Sequence, residues 1–319
     1  RKRMIYIHWI VLVAYTVVAI IAMITVLLEH RQPAKTIAWV LVLSFLPLLG
    51  IILYFFFGRR TRKDRHIWQN SLDQLTKRSM IEFAEQKQLE LPEEHRELIQ
   101  LFMNQNLALP FKNNETDVYV SGYEFFPALL SEIGKAEHHI HIVSYIIDDD
   151  PLGRLLRDAL IDKARKGVEV RLLFDDVGSW KTPNRFFEQM REEGIEVHSF
   201  MPVRFPAFTG KVNYRNHRKI IVVDGKVGFI GGMNLAQRYV HGVKGTKWRD
   251  THVKISGSAV YGLQRAFLVD WFHADRTLIT DRKYYPVTTA ETTNNCLVQI
   301  VTSSPTNVWE ELEQGLRFC

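Results

Sequence analysis

The segment Asn216-His217-Arg218-Lys219-Ile220-Ile221-Val222-Val223-Asp224-Gly225 joins chemically capable side chains to an apolar run. Histidine works as a nucleophile or acid–base near neutral pH. Lysine carries a compact positive charge. Side chains alternate along a strand, so His217 and Lys219 are expected on one face. Lys219 to Val223 reads as a buried strand and Asp224-Gly225 as a hairpin turn. A second strand, Val227 to Ile230, returns to Gly231-Gly232-Met233-Asn234. The missing side chains there would let backbone approach a ligand closely.

Other elements must hold this segment in place. Val118–Val120 reads as a short strand, and Phe125 to Ala136 as a helix. Ile140 to Ile147 is β-branched, and Leu152 to Lys166 has helical spacing that stops at Gly167. Val168 to Phe174 is a strand, Arg185 to Glu193 a helix closed by Gly194, and Val197–Phe200 another strand. Such alternation predicts an α/β layer fold. The two cysteines, Cys296 and Cys319, exclude a disulfide framework, and no zinc-finger spacing occurs.

The chain of 319 residues carries a formal net charge of +6. The positive charge gathers at Arg1–Arg3 and between Arg59 and Arg78, while residues 81–319 sum to −3. Nucleic acid is therefore not an expected partner. Met4 to Leu28 and Thr36 to Phe57 carry no charged side chain. As helices they would be roughly 37 and 33 Å long, enough for a bilayer core of about 30 Å. A short link with Pro33 predicts a transmembrane hairpin. The flanking cations place both ends and the body in the cytoplasm, against an anionic membrane. The first stretch is too long for a signal peptide and is followed at once by a second.

The His-x-Lys-x4-Asp pattern followed by Gly-Gly-x-Asn resembles the phospholipase D superfamily. Asn213 to Lys219, Trp248-Arg249-Asp250-Thr251-His252, Gly262 to Trp271 and the N-terminal hairpin narrow the likeness to bacterial cardiolipin synthases. The resemblance implies a two-helix transmembrane hairpin followed by a phospholipase D-like mixed β-sheet domain flanked by helices. It implies condensation of two phosphatidylglycerols into cardiolipin and glycerol through a phosphohistidine, with no cofactor and no metal. It makes His217, Lys219 and Asp224 the catalytic set, with His217 the nucleophile or its general-acid partner, Lys219 gripping phosphate and Asp224 supporting the motif's structure and electrostatics; Asn234 and Gly232 are substrate-binding and Asp250 orients the histidine. The residue types suit the chemistry: a neutral imidazole attacks phosphorus, and a lysine neutralises phosphate oxygens. Other superfamily activities (phospholipid hydrolysis, phosphatidylserine synthesis, nucleolysis) and a catalytically incomplete membrane module are the alternatives.

The superfamily chemistry needs two such motifs, and only His217 satisfies the full pattern. His252-Val253-Lys254 begins it, but Ala259 stands where the aspartate belongs. The second motif is expected from a C-terminal half or from a homodimer partner. The expected organisation is an anchor (residues 1–58), a helical connector (59–110), a catalytic domain (111–295) and the start of a second repeat (296–319), with a strand at Leu297 to Val301 and a helix at Trp309 to Leu316. His138-His139-x-His141 reads as polar residues at a strand edge rather than a metal site. Asp148-Asp149-Asp150 reads as a helix-start loop and Asp175 to Ser179 as a capped loop close to the site. Met201 to Phe208 reads equally as a packed loop or a bilayer-dipping segment.

Overall fold

The structure is a computed structural model. It describes residues 2–28, 33–54, 91–106, 108–202, 215–243, 245–287 and 296–303, in two compact units. The predicted strand and helix at the C-terminus therefore fall only partly within the described residues. Most of the 59–110 connector and nearly all of Met201–Phe208 lie outside them.

The N-terminal unit contains α1 (Lys2–Leu28), α2 (Pro33–Phe45) and α3 (Pro47–Leu53). The second uncharged stretch was expected to be one helix; it is two. Pro47 has no N–H to donate, and the chain bends at Leu46 before resuming with Pro47 in the first turn of α3. Val26, Leu43 and Tyr54 are buried together, and Trp39 meets Tyr54 edge-on at 5.5 Å. Among the residues described to the side chain, no helix is long and apolar enough to cross a membrane.

The larger unit contains α4 (Arg96–Asn106) and is built on one eight-stranded sheet. Its strands are β1 (Pro110–Tyr119), β2 (His139–Ser144), β3 (Glu169–Asp175), β4 (Glu196–Phe200), β5 (Ile220–Val223), β6 (Val227–Gly231), β7 (His252–Gly257) and β8 (Cys296–Gln299). The spatial order is β4-β3-β2-β5-β6-β7-β1-β8. β2, β3 and β4 are mutually parallel, because helices link them; the other pairings are antiparallel. The strand expected to open a second repeat pairs with β1 at the edge of this same sheet.

Helices cover both faces. Ile221 and Val223 join Ile140, Ile142, Leu172 and Phe229 on the side of α5 (Gly122–Lys135), α6 (Pro151–Arg165) and α7 (Asn184–Glu192). Ile220 and Val222 join Val143, Leu173 and Ile255 on the side of α9 (Val260–Asp275). The short α8 (Arg238–His241) follows β6. The strictly apolar β5 is thus explained by burial on both faces. Asp150 caps α6 by accepting from Gly153 N at 2.8 Å, the expected helix-start loop.

The two histidines of β2 depart from expectation. β2 is an interior strand, and His139 and His141 are completely buried. Gln264 of α9 joins them: its Oε1 lies 3.2 Å from His139 Nε2, and its Nε2 lies 2.7 Å from His141 Nδ1. His141 stacks on Phe267 at 4.5 Å and its Nε2 lies 3.2 Å from Arg171. Burial pushes His139 down to about 4 and His141 well below its ordinary value. These are neutral core histidines tied by hydrogen bonds.

Candidate active site

Five segments meet at one end of the sheet: the ends of β2 and β3, the segment entering β5, the exit of β6 and the entry to β7. β5 runs antiparallel to β2, so the residues before β5 lie beside those after β2. Tyr145, the first residue past β2, packs against the His217 ring at 4.8 Å. Lys219 Nζ lies 5.4 Å from the centre of the same tyrosine ring and donates to the His217 carbonyl at 2.7 Å. Tyr145 therefore forms a shared floor under both functional side chains.

The neighbours of His217 point the other way. The amide of Asn216 donates to buried Asp270 of α9 at 2.7 Å, and the Arg218 guanidinium pairs with the same carboxylate. Asn216 Oδ1 also accepts from Arg218 N at 3.0 Å. At the end of β3, buried Asp175 accepts from Val177 N at 2.9 Å, Gly178 N at 3.0 Å and Asn216 N at 3.2 Å. Two carboxylates from separate elements thus grip residues 216 and 218 and fix the backbone that presents His217 and Lys219.

The electrostatics suit an attacking imidazole. Burial lowers the affinity of His217 for a proton, and the Lys219 charge lowers it further; Asp175 and Asp250 partly oppose this. The exposed ring is neutral at pH 7. Burial brings Lys219 down to about 8, with Asp250 opposing, so its ammonium stays charged at neutral pH. A neutral imidazole beside a partly desolvated cation can attack an anionic phosphodiester, because the cation offsets phosphate charge.

The other expected site residues are placed differently. Asp224 sits at the far end of β5, roughly 20 Å of extended chain from His217. Its carboxylate accepts from the backbone N–H of Glu137, His138 and His139 at 2.9, 2.8 and 2.9 Å. It anchors the chain entering β2 and does not meet the reacting groups. Gly232 was expected to leave room for a ligand, but a Cβ there would collide with the Asp250 carboxylate. The glycine makes space for Asp250.

Asp250 was expected to hydrogen-bond the histidine. Its Oδ1 accepts from Thr251 N at 2.8 Å, and it acts on His217 and Lys219 through space; among the described residues no hydrogen bond joins it to His217. Asn234 was expected on a phosphate oxygen. Its Oδ1 accepts from Ile146 N at 3.0 Å and its Nδ2 donates to the Tyr239 hydroxyl. It braces the segment just past Tyr145.

His252, the start of the incomplete second pattern, is completely buried and stacks on Phe125 at 4.0 Å. Burial lowers it to about 3, with Lys219 adding to the effect. It lies in the core, beside the Gly231 backbone. Sequence reasoning did not single out Tyr145 or Asp270. Asp270 lies within the Gly262–Trp271 segment noted for its resemblance, but only the packing of α9 on β5 reveals its partners. Asp175 was read as a loop cap; it is that, and it also binds the backbone next to His217.

The mixed sheet, its helical layers and the His217–Lys219 pair at its end define a phospholipase D-like domain. Residues 129–271 match the family described as cardiolipin synthase, PLD-like domain, and residues 17–59 match the family described as phospholipase D-nuclease N-terminal. The chain is 37% identical to a cardiolipin synthase of Oceanobacillus iheyensis, over 92% of this chain and 63% of that protein. It is likewise 37% identical to the major cardiolipin synthase ClsA of Bacillus subtilis, over 93% of this chain and 63% of that protein. The chain thus spans about three-fifths of the length of these relatives. Among solved structures, the phospholipase D family member Nuc of Salmonella typhimurium matches 51% of this chain and 97% of its own, at 20% identity and a TM-score of 0.39. Residues 129–271 thus form a phospholipase D-like domain of the cardiolipin synthase type, and the chain as a whole is similar to cardiolipin synthases.

Proposed function

We propose that this protein is a membrane-anchored phosphatidyltransferase that condenses two phosphatidylglycerols into cardiolipin and glycerol. The observation that carries this reading is the neutral, exposed imidazole of His217 held beside the Lys219 cation over Tyr145. Similarity to cardiolipin synthases supports this substrate class.

In the first step a nitrogen of His217 attacks the phosphorus of one phosphatidylglycerol. The bond from phosphorus to the headgroup glycerol oxygen breaks, and glycerol leaves with a proton from a general acid. In the second step the primary hydroxyl of another phosphatidylglycerol attacks the phosphohistidine. The phosphorus–nitrogen bond breaks, and the hydroxyl proton passes to the same acid–base group. Lys219 offsets the anionic charge in both steps, and Asp250 favours the charged form of Lys219. The acid–base group comes from a second His-x-Lys-x4-Asp motif, in a longer chain or a second copy.

We further propose that the N-terminal hairpin crosses the membrane with both ends and the catalytic body in the cytoplasm. Its uncharged stretches support this, as does its outward face, where Trp9, Ile10, Val13, Val17, Ile21, Ile24 and Leu41 are exposed.

Full-length protein incubated with phosphatidylglycerol is expected to yield cardiolipin and free glycerol in equal amounts. Release of phosphatidic acid without cardiolipin would refute the transferase reading. His217→Ala is expected to lower turnover at least 1,000-fold (about 4 kcal/mol of barrier) with unchanged thermal unfolding; near-normal turnover would remove His217 from the mechanism.

A further inference from the structure

Two large aromatic side chains stand in solvent at the same end of the sheet as His217. Trp180 is 77% exposed and Trp248 is 43% exposed. Both are tied to the residues that support the site. The loop carrying Trp180 packs on Tyr145: a Cβ on Gly178 would collide with the Tyr145 carbonyl, and Ser179 Oγ donates to that carbonyl at 3.3 Å. Trp248 packs on Tyr239 at 5.3 Å, whose hydroxyl accepts from Asn234, which in turn holds Ile146 N. The two tryptophans therefore flank the Tyr145-Ile146 segment beside His217.

Each tryptophan has cations next to it in the chain. Lys181 follows Trp180, while Lys247 and Arg249 bracket Trp248. All three are exposed, and among the described residues none forms an ion pair. Residues 81–319 as a whole are mildly acidic, so the free cations beside these tryptophans run against the body's net charge. An exposed indole in water leaves a large apolar surface uncovered. An indole flanked by cations matches the headgroup layer of an anionic bilayer, which takes an amphipathic ring at its boundary and attracts lysine and arginine.

We propose that Trp180 and Trp248, with Lys181, Lys247 and Arg249, form an interfacial seat that sets the His217 end of the sheet on an anionic lipid bilayer. This rests on the reading that the substrate is a bilayer phospholipid. The seat is distinct from the N-terminal hairpin: it brings the attacking imidazole to the level of the phosphodiesters.

The test uses full-length protein in a background without reactive cysteines, reconstituted into vesicles. Trp180→Cys, Trp248→Cys and, on the exposed surface of α6, Leu155→Cys each receive an environment-sensitive fluorophore. Iodide quenching is expected to fall at least threefold at 180 and 248, not at 155, in phosphatidylglycerol-containing vesicles relative to pure phosphatidylcholine. The triple variant Lys181→Glu, Lys247→Glu, Arg249→Glu is expected to restore quenching at 180 and 248. Equal quenching at all three positions in both vesicles overturns the seat. So does shielding in detergent that vanishes on protein dilution, because the face would then meet a second copy. Cardiolipin formation in the same vesicles separates the two readings. Product without shielding refutes the seat alone. Shielding without product refutes the transferase and leaves the seat standing.

Discussion

His217 and Lys219 share one ring beneath them and one carboxylate beside them, so their titrations are linked. His217 must be neutral to attack, and burial keeps it so down to a pH below its ordinary 6.5. Lys219 must be charged, and it loses its proton near pH 8. Turnover is therefore expected to be flat between these limits, falling in acid as His217 gains a proton and in alkali as Lys219 loses one. A pH–rate profile whose alkaline limb begins only above pH 10 would refute the role of Lys219. Gly232→Ala offers a sharper test. The added methyl would push the Asp250 carboxylate away, and that carboxylate raises the proton affinity of both groups. The alkaline limb is then expected to move below pH 8, with turnover reduced roughly tenfold; an unmoved limb would show that Asp250 does not act on Lys219.

At the scale of elements, the motif stretches along the whole of β5. Its histidine and lysine lie at one end and its aspartate at the other. Asp224 also has a positive φ of 53°, a conformation that asparagine and aspartate tolerate better than most side chains. Asp224→Ala would leave three backbone N–H groups without their acceptor and strain the turn. The cost is expected to be about 3 kcal/mol, read as a fall of about 5–10 °C in thermal unfolding. Asp224→Asn, which keeps an acceptor and suits the turn, should lose less than half of that. Equal losses would show that neither the acceptor nor the turn geometry matters. The spacing revealed that the aspartate belongs to the motif but not its task, because a linear pattern cannot distinguish a residue that touches substrate from one that ties two strand ends together.

At the scale of the whole molecule, the buried histidines of β2 make the larger unit sensitive to acid. His139 takes a proton at about pH 4 when folded and near 6.5 when unfolded. Between these values the unfolded chain binds more protons, so stability is full above pH 6.5 and falls as the pH drops towards 4. The loss is expected to be about 3 kcal/mol from His139, and His141 shifts in the same direction. Thermal unfolding at pH 7.5 and 5 checks this. His139→Gln should flatten the dependence, and an unchanged pH slope would refute the assignment.

The sequence by itself determined the alternation of layers, the apolar interior strand β5 and the single face shared by His217 and Lys219. These follow from local periodicity, and period-two alternation survives in any fold that keeps the strand. Only the tertiary structure decided what surrounds them. Asp270 reaches Asn216 across 54 positions. Tyr145 meets His217 because β5 runs antiparallel to β2. His252 is removed from the chemistry by its stacking on Phe125, though its spacing made it the start of a second motif. Each of these depends on which elements pack together, and burial and partner charges, which set what an imidazole or an amine can do, arise only once they have packed.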